Sequence, residues 1–184
     1  DVNPFGVLYN PLSIAEALKQ ILAGKTYEAT DLFKAGDEWH SWMHHSDFSS
    51  PSAEEALALM NFRLAKAKDN FAKTDWLIVT FGTAYIYKGK ETGLVVGNCH
   101  KQPARMFERS MLDVGTIVEE WLHVLKKGRG VNPALKVLFT VSPIRHAKDG
   151  MHANQLSKAT LLLAAEELCR TCPDCFYFPS YEIM

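Results

Sequence analysis

The sequence predicts an α/β domain built on a mostly parallel sheet with helices on both faces. Three observations lead there. Residues 76–81, WLIVTF, form a short apolar run rich in β-branched and aromatic residues and stopped by Gly82. Such a run reads as a strand buried on both faces. A second run, residues 137–141, closes at Ser142 and Pro143. Segments with helical apolar spacing lie between and around these runs, and strands alternating with helices imply parallel pairing through right-handed crossovers.

In chain order, residues 2–8 read as the end of a strand, with Pro4 confining it to an end or edge. A helix follows, with Ser13 and Glu16 as a capping box and Ile14, Leu18, Ile21 and Leu22 as its stripe, ending at Gly24. Residues 29–33 suggest a helical turn. Ser52 and Glu55 form a second capping box, opening a helix that runs to about Phe71 with Leu57, Met60, Leu64 and Ala67 on one face. After the 76–81 strand, residues 85–87 and 94–96 look like a small hairpin. Asp113 suits the cap of a helix over 114–127, ended by Gly128 and Gly130. The 137–141 strand precedes a long loop, a helix over 155–169 and a last strand at 176–178. No period repeats and no segment is low in complexity.

At 184 residues the chain is the size of one domain, residues 1–184, and can bury a core. Its hydrophobic content of 47% and charged content of 22% are ordinary for a globular protein. A formal net charge of −1 provides no global field for nucleic acid or an anionic membrane. No apolar run is long enough to span a bilayer and no basic-then-apolar leader is visible, which makes the cytoplasm the default expectation. The chain opens on Asp1 without an initiator Met and stops at Met184 just after a strand. The expectation is an internal fragment, truncated at both ends.

Cys169, Cys172 and Cys175 make a C-x-x-C-x-x-C run. That spacing can present several thiolates to one ion. It also fits a helix end, a turn at Pro173 and Asp174, and a strand beginning at Cys175. No further cysteine at a suitable spacing completes a four-thiolate set, so free thiols are expected, with no metal and no cofactor. Residues 37–50 carry Trp39, His40, Trp42, His44 and His45. His44 and His45 are adjacent and no carboxylate spacing supports a metal, so a pocket wall or packed loop is expected.

In open α/β sheets ligands sit outside the carboxyl ends of the strands. Those positions gather Gly6 and Asn10, Gly82 and Thr83, Asn98 and His100, Ser142, Arg145 and His146, and Ser180 and Glu182. They read as a floor of amide and backbone donors suited to an oxyanion. No G-x-S-x-G elbow, H-E-x-x-H, P-loop or G-x-G-x-x-G is present.

Several blocks, FGTAYIY, VVGNCHKQP, VLFTVSPIRHAKDG, NQLSKATLLLA and YFPSYEIM, together with NPFGVLYNPLSI and WHSWMHHSDFS, resemble the GSCFA family in sequence and order across essentially the whole chain. The resemblance implies a bacterial protein, of a kind frequent in Bacteroidetes, from the SGNH/GDSL hydrolase superfamily. It also implies a flavodoxin-like three-layer α/β/α sandwich. The implied activity is that of a serine acyl-ester hydrolase or acyltransferase. Its implied partner is a small-molecule or glycan acyl ester, with no nucleic acid and no membrane. By the same resemblance the nucleophilic Ser of the Gly-Ser-Cys-Phe-Ala motif lies before Asp1 and the Asp-x-x-His block after Met184, so residues 1–184 alone are expected to be inactive.

The resemblance sets Gly6 near the superfamily block whose glycine N–H helps bind the oxyanion. The third block is normally Gly-x-Asn-Asp. Here it reads Gly82, Thr83, Ala84 and Tyr85, and Asn98 is the candidate to supply the missing amide. Asn10, Gly82, Thr83, His100, Arg145 and His146 are the substrate-binding candidates. Three of these candidates have a plainer alternative. Asn98 suits a turn after Gly97, His100 a backbone bond, and Arg145 a structural ion pair rather than an anionic substrate group. Ser142 as nucleophile is disfavoured because Pro143 lacks the N–H wanted there. Cys99 with His100 is weaker still. A non-catalytic ligand-binding module on the same fold is the second reading.

Overall fold

The computed structural model describes residues 2–145 and 150–184. Helix α1 (Pro11–Ala23) leads into a short hairpin of β1 (Phe33–Ala35) and β2 (Glu38–His40), and then helix α2 (Ala53–Phe71). Strand β3 (Trp76–Phe81) precedes a second antiparallel pair, β4 (Tyr85–Gly89) with β5 (Phe107–Met111). Helix α3 (Val114–Val131), strand β6 (Lys136–Val141), helix α4 (Met151–Thr171), strand β7 (Cys175–Phe178) and helix α5 (Ser180–Ile183) complete the chain.

The architecture is the expected α/β one, a three-stranded parallel sheet in the order β3-β6-β7 flanked by helices. Alternation along each strand divides its faces. Val79, Phe81, Val137, Phe139 and Val141 turn inward and are at most 3% exposed. Helices α1, α3 and α4 pack together over this side. Trp121 of α3 lies edge-on to both Phe81 and Phe139, and its indole N–H donates to Pro11 O at 3.1 Å. The opposite face differs from the reading of a strand buried on both sides. Trp76, Ile78, Phe176 and Phe178 are exposed there, Ile78 to 66%. Helix α5 reaches this face near Thr140 through the Ser180 hydroxyl, which donates to Val141 O at 2.6 Å.

Other local expectations are corrected. Residues 2–8 form no strand, only a bridge between Pro4 and Gly6. The cap of α1 is Asn10, three residues before Ser13, with Pro11 at the first helical position where a missing N–H costs nothing. The expected hairpin partner at 94–96 contributes only a bridge between Lys88 and Val95, because the extended pairing of β4 is with β5. Helix α3 continues through Gly128, whose bare Cα lets Phe71 approach; a Cβ there would meet Phe71 Cζ at 3.2 Å. Among the described residues no helix is long and apolar enough to cross a membrane.

Candidate functional site

The carboxyl end of β3 is held by one peptide oxygen. Gly82 N–H and Thr83 N–H both donate to Tyr9 O, at 2.8 and 3.1 Å. The next residue, Asn10, is buried and accepts Ser13 N–H on Oδ1 at 2.8 Å, so its side chain is occupied as the α1 cap. Between the 3–9 segment and the edge of β3 not paired to β6 runs a groove of about 400 Å³ with α1 along it. Gly6, Gly82 and Ser142, from three separate parts of the chain, all line it.

Beneath this region lies a residue that was not among the candidates. Lys158 is fully buried, and its ammonium donates to Gly82 O and Ser142 O, each at 2.6 Å. It thereby ties the ends of β3 and β6 together. Burial alone lowers its pKa to about 8. Its neighbour Ser157 accepts Ala84 N–H at 2.8 Å and lies 3.3 Å from the Thr83 hydroxyl. The signal for Lys158 was present in the register of α4, where Asn154, Lys158, Leu161, Ala165 and Leu168 share the buried stripe. A lysine on such a stripe reads by type as surface, which hides it.

Asn98 and His100 lie across a short loop from Gly6. Trp42 O accepts Gly97 N–H at 2.7 Å and Asn98 N–H at 3.1 Å, while His45 N–H donates to Phe5 O at 2.9 Å. The 41–45 segment is therefore wedged between the 5–8 and 97–100 segments. Gly6, with φ +78°, permits the close approach, since a Cβ would fall 2.2 Å from His45 Cβ. Gly6 N–H donates to Asn3 O at 2.8 Å. Asn98 Oδ1 accepts His100 N–H at 2.8 Å, which is a turn bond and leaves Nδ2 as the donor end of the amide. His100 has φ +46°, and its Nε2 lies 2.9 Å from Ser41 O.

The histidine-rich stretch forms a packed loop. His44 is 1% exposed, stacks on Phe5 at 4.6 Å and has Nδ1 3.0 Å from Ser41 Oγ. Burial first, then the nearby His100, lowers its pKa to about 3. His40 lies 2.7 Å from Ser49 Oγ and 4.6 Å, ring to ring, from His100. Burial is also the largest influence on His100 and lowers its pKa, against the opposing effect of Ser41 O. The His44 and His100 imidazoles are thus biased to the neutral form.

The remaining candidates are less gathered. Arg145 is exposed, and His146 lies outside the described residues. Ser142 Oγ accepts Ile144 N–H at 3.2 Å, with its own N–H on Phe81 O. Among the described residues no group of three or more His, Cys, Asp or Glu side chains is arranged to hold a metal ion. Chemically the region offers an open groove at two strand ends, a buried cation under them and an amide donor nearby.

The model of the GSCFA family matches residues 1–184. No curated protein matches the chain, and no solved structure matches it.

Proposed function

The chain belongs to the GSCFA family, and from that membership we propose that it forms the pocket-bearing body of a serine acyl-ester hydrolase or acyltransferase of SGNH type. The observation that carries the reading is the groove on the unpaired edge of β3, where Gly6, Gly82 and Ser142 converge. An extended segment from outside residues 1–184, paired parallel to β3, would deliver the residue at its carboxyl end beside Gly82. A nucleophilic serine there would attack the ester carbonyl, with a histidine as base and an aspartate orienting it. Asn98 Nδ2 and the N–H of Gly6 are the oxyanion donors in this proposal. Gly6 would give up its turn bond to Asn3 O to serve. Asn10, Gly82, Thr83, His100, Arg145 and His146 are proposed to line the acyl or alcohol side. The substrate class proposed is an O-acylated carbohydrate, by superfamily analogy.

One observation favours the second reading, a binding module without catalysis. The first two N–H groups of the altered third block, those of Gly82 and Thr83, are already held by Tyr9 O. Assay of the intact protein on short p-nitrophenyl esters separates the two. Turnover that falls at least tenfold in Asn98→Ala supports the hydrolase. Absence of turnover with retained binding of an acylated sugar supports the module.

A further inference from the structure

At the other end of the sheet, where α4 ends and β7 begins, three cysteines and one arginine meet. Arg129, in the last turn of α3, donates through Nη1 to Cys172 Sγ at 2.9 Å, and through Nη2 to Pro173 O and to Cys175 Sγ at 3.6 Å. One planar guanidinium therefore spans both sulfurs. Such a hydrogen bond strengthens when its sulfur acceptor is a thiolate. Cys172 and Cys175 are buried free thiols, but Thr171, Pro173 and Asp174 around them are exposed. The pair lies one residue layer from solvent.

The backbone sets the reach. Cys172 closes α4 through its N–H on Leu168 O at 2.9 Å, and Cys175 is fixed opposite Val137 in the sheet. The two intervening residues turn the chain, with Asp174 at φ +58°. Proline followed by a left-handed residue is the type II pattern, which brings the first and fourth Cα atoms within ~7 Å. A disulfide needs its Cα atoms roughly 4.4–6.8 Å apart. Closing so short a loop removes little chain entropy, so this spacing suits reversible exchange better than a structural staple.

We propose that Cys172 and Cys175 form a reversible redox pair, oxidised by a small-molecule disulfide and served by Arg129. The Cys172 thiolate attacks one sulfur of the disulfide RSSR, and RS⁻ leaves and takes up a proton. Cys175 then loses its proton to solvent and attacks the Cys172 sulfur, expelling the second RS⁻, which is protonated in turn. Two thiols become one disulfide, RSSR becomes two RSH, and the two electrons move from the protein sulfurs to the reagent. Burial, with Cys172 beside it, pushes Cys175 up to about 12, which makes it the protonated, resolving member of the pair. Cys169, one helical turn before Cys172, is pushed up by burial as well and is not the attacking group.

The test uses the whole chain with oxidised and reduced glutathione at defined ratios, alkylation of remaining thiols, and tryptic peptide mass spectrometry. Cleavage after Arg170 separates Cys169 from the peptide that carries Cys172 and Cys175. The expected result is an internal disulfide in the second peptide, reversed by dithiothreitol and formed at least threefold more slowly in Arg129→Gln. Full alkylation of both cysteines after excess oxidised glutathione at pH 8 would overturn the proposal. So would a pairing through Cys169, or a glutathione adduct that persists on Cys172. The wild-type result decides even where the variant does not fold.

Discussion

The Lys158 ammonium lies 2.6 Å from the carbonyl oxygen of Gly82, the residue that follows the parallel strand β3. The equal bond to Ser142 O makes this one side chain a second link between neighbouring strand ends, beside the Ser142 N–H bond to Phe81 O. Lys158→Met would leave both carbonyls without that donor. An unpaired buried carbonyl costs roughly 1–3 kcal/mol, and removing a desolvated cation returns part of it. The expected net loss is about 1–3 kcal/mol, read by urea denaturation at pH 7.

The same residue predicts a pH dependence. Its folded pKa, about 8, lies below the ordinary 10.5 of lysine. The unfolded chain therefore binds more protons between those values, and stability rises with pH across that interval. The neutral amine keeps two N–H groups, enough for both carbonyls. The advantage of wild type over Lys158→Met should grow from pH 7.5 to pH 10, and a constant difference would contradict this.

His44 works in acid. Its pKa of about 3 lies below the ordinary 6.5, so its contribution is complete above pH 6.5 and is lost as pH falls toward 3. The slope approaches ~1.4 kcal/mol per pH unit. Urea midpoints between pH 6.5 and 4 should fall steeply in wild type and less steeply in His44→Gln.

Gly6→Ala combines a left-handed φ of +78° with a Cβ 2.2 Å from His45 Cβ. The expected destabilisation is about 2–4 kcal/mol. His45→Gly removes the clashing atom but leaves the strained φ, so the double variant should regain part of the loss and not all of it. Calorimetry of the four proteins in the cycle measures the coupling.

Asn10 offers a test of role. As the cap of α1, Asn10→Ala should lose about 0.5–2 kcal/mol and Asn10→Asp much less. If Asn10→Asp restores stability but not ligand binding in the intact protein, the side chain has a second duty in the pocket.

Where one stretch of chain carries the whole signal, the sequence was sufficient. The 76–81 run has the bounds of β3, and Asp113 and Ser52 cap the helices they were assigned. Long-range pairing was not legible, because β4 takes its partner from Phe107–Met111 while an equally strand-like segment at 94–96 lies closer in the chain. The site was legible in the same uneven way. Gly82 and Ser142 follow β3 and β6 as read and line the groove, Gly6 lines it without a strand before it, and Lys158 was hidden because a charge on a helix reads as solvent-facing. The wedge formed by residues 41–45 depends on contacts with two distant loops, and no local pattern encodes it.

Tyr9, Asn10 and Pro11 carry three unrelated attachments in succession. Tyr9 O holds Gly82 and Thr83, Asn10 starts α1, and Pro11 O receives the Trp121 indole. The chain has no slack there. One inserted residue would put strand end, helix start and core indole out of step together. The turn at residues 91–93 is exposed throughout, and its Gly93 N–H closes locally on Gly89 O. Changes of chain length that leave the molecule able to fold should therefore accumulate in that turn and be absent from positions 9–11.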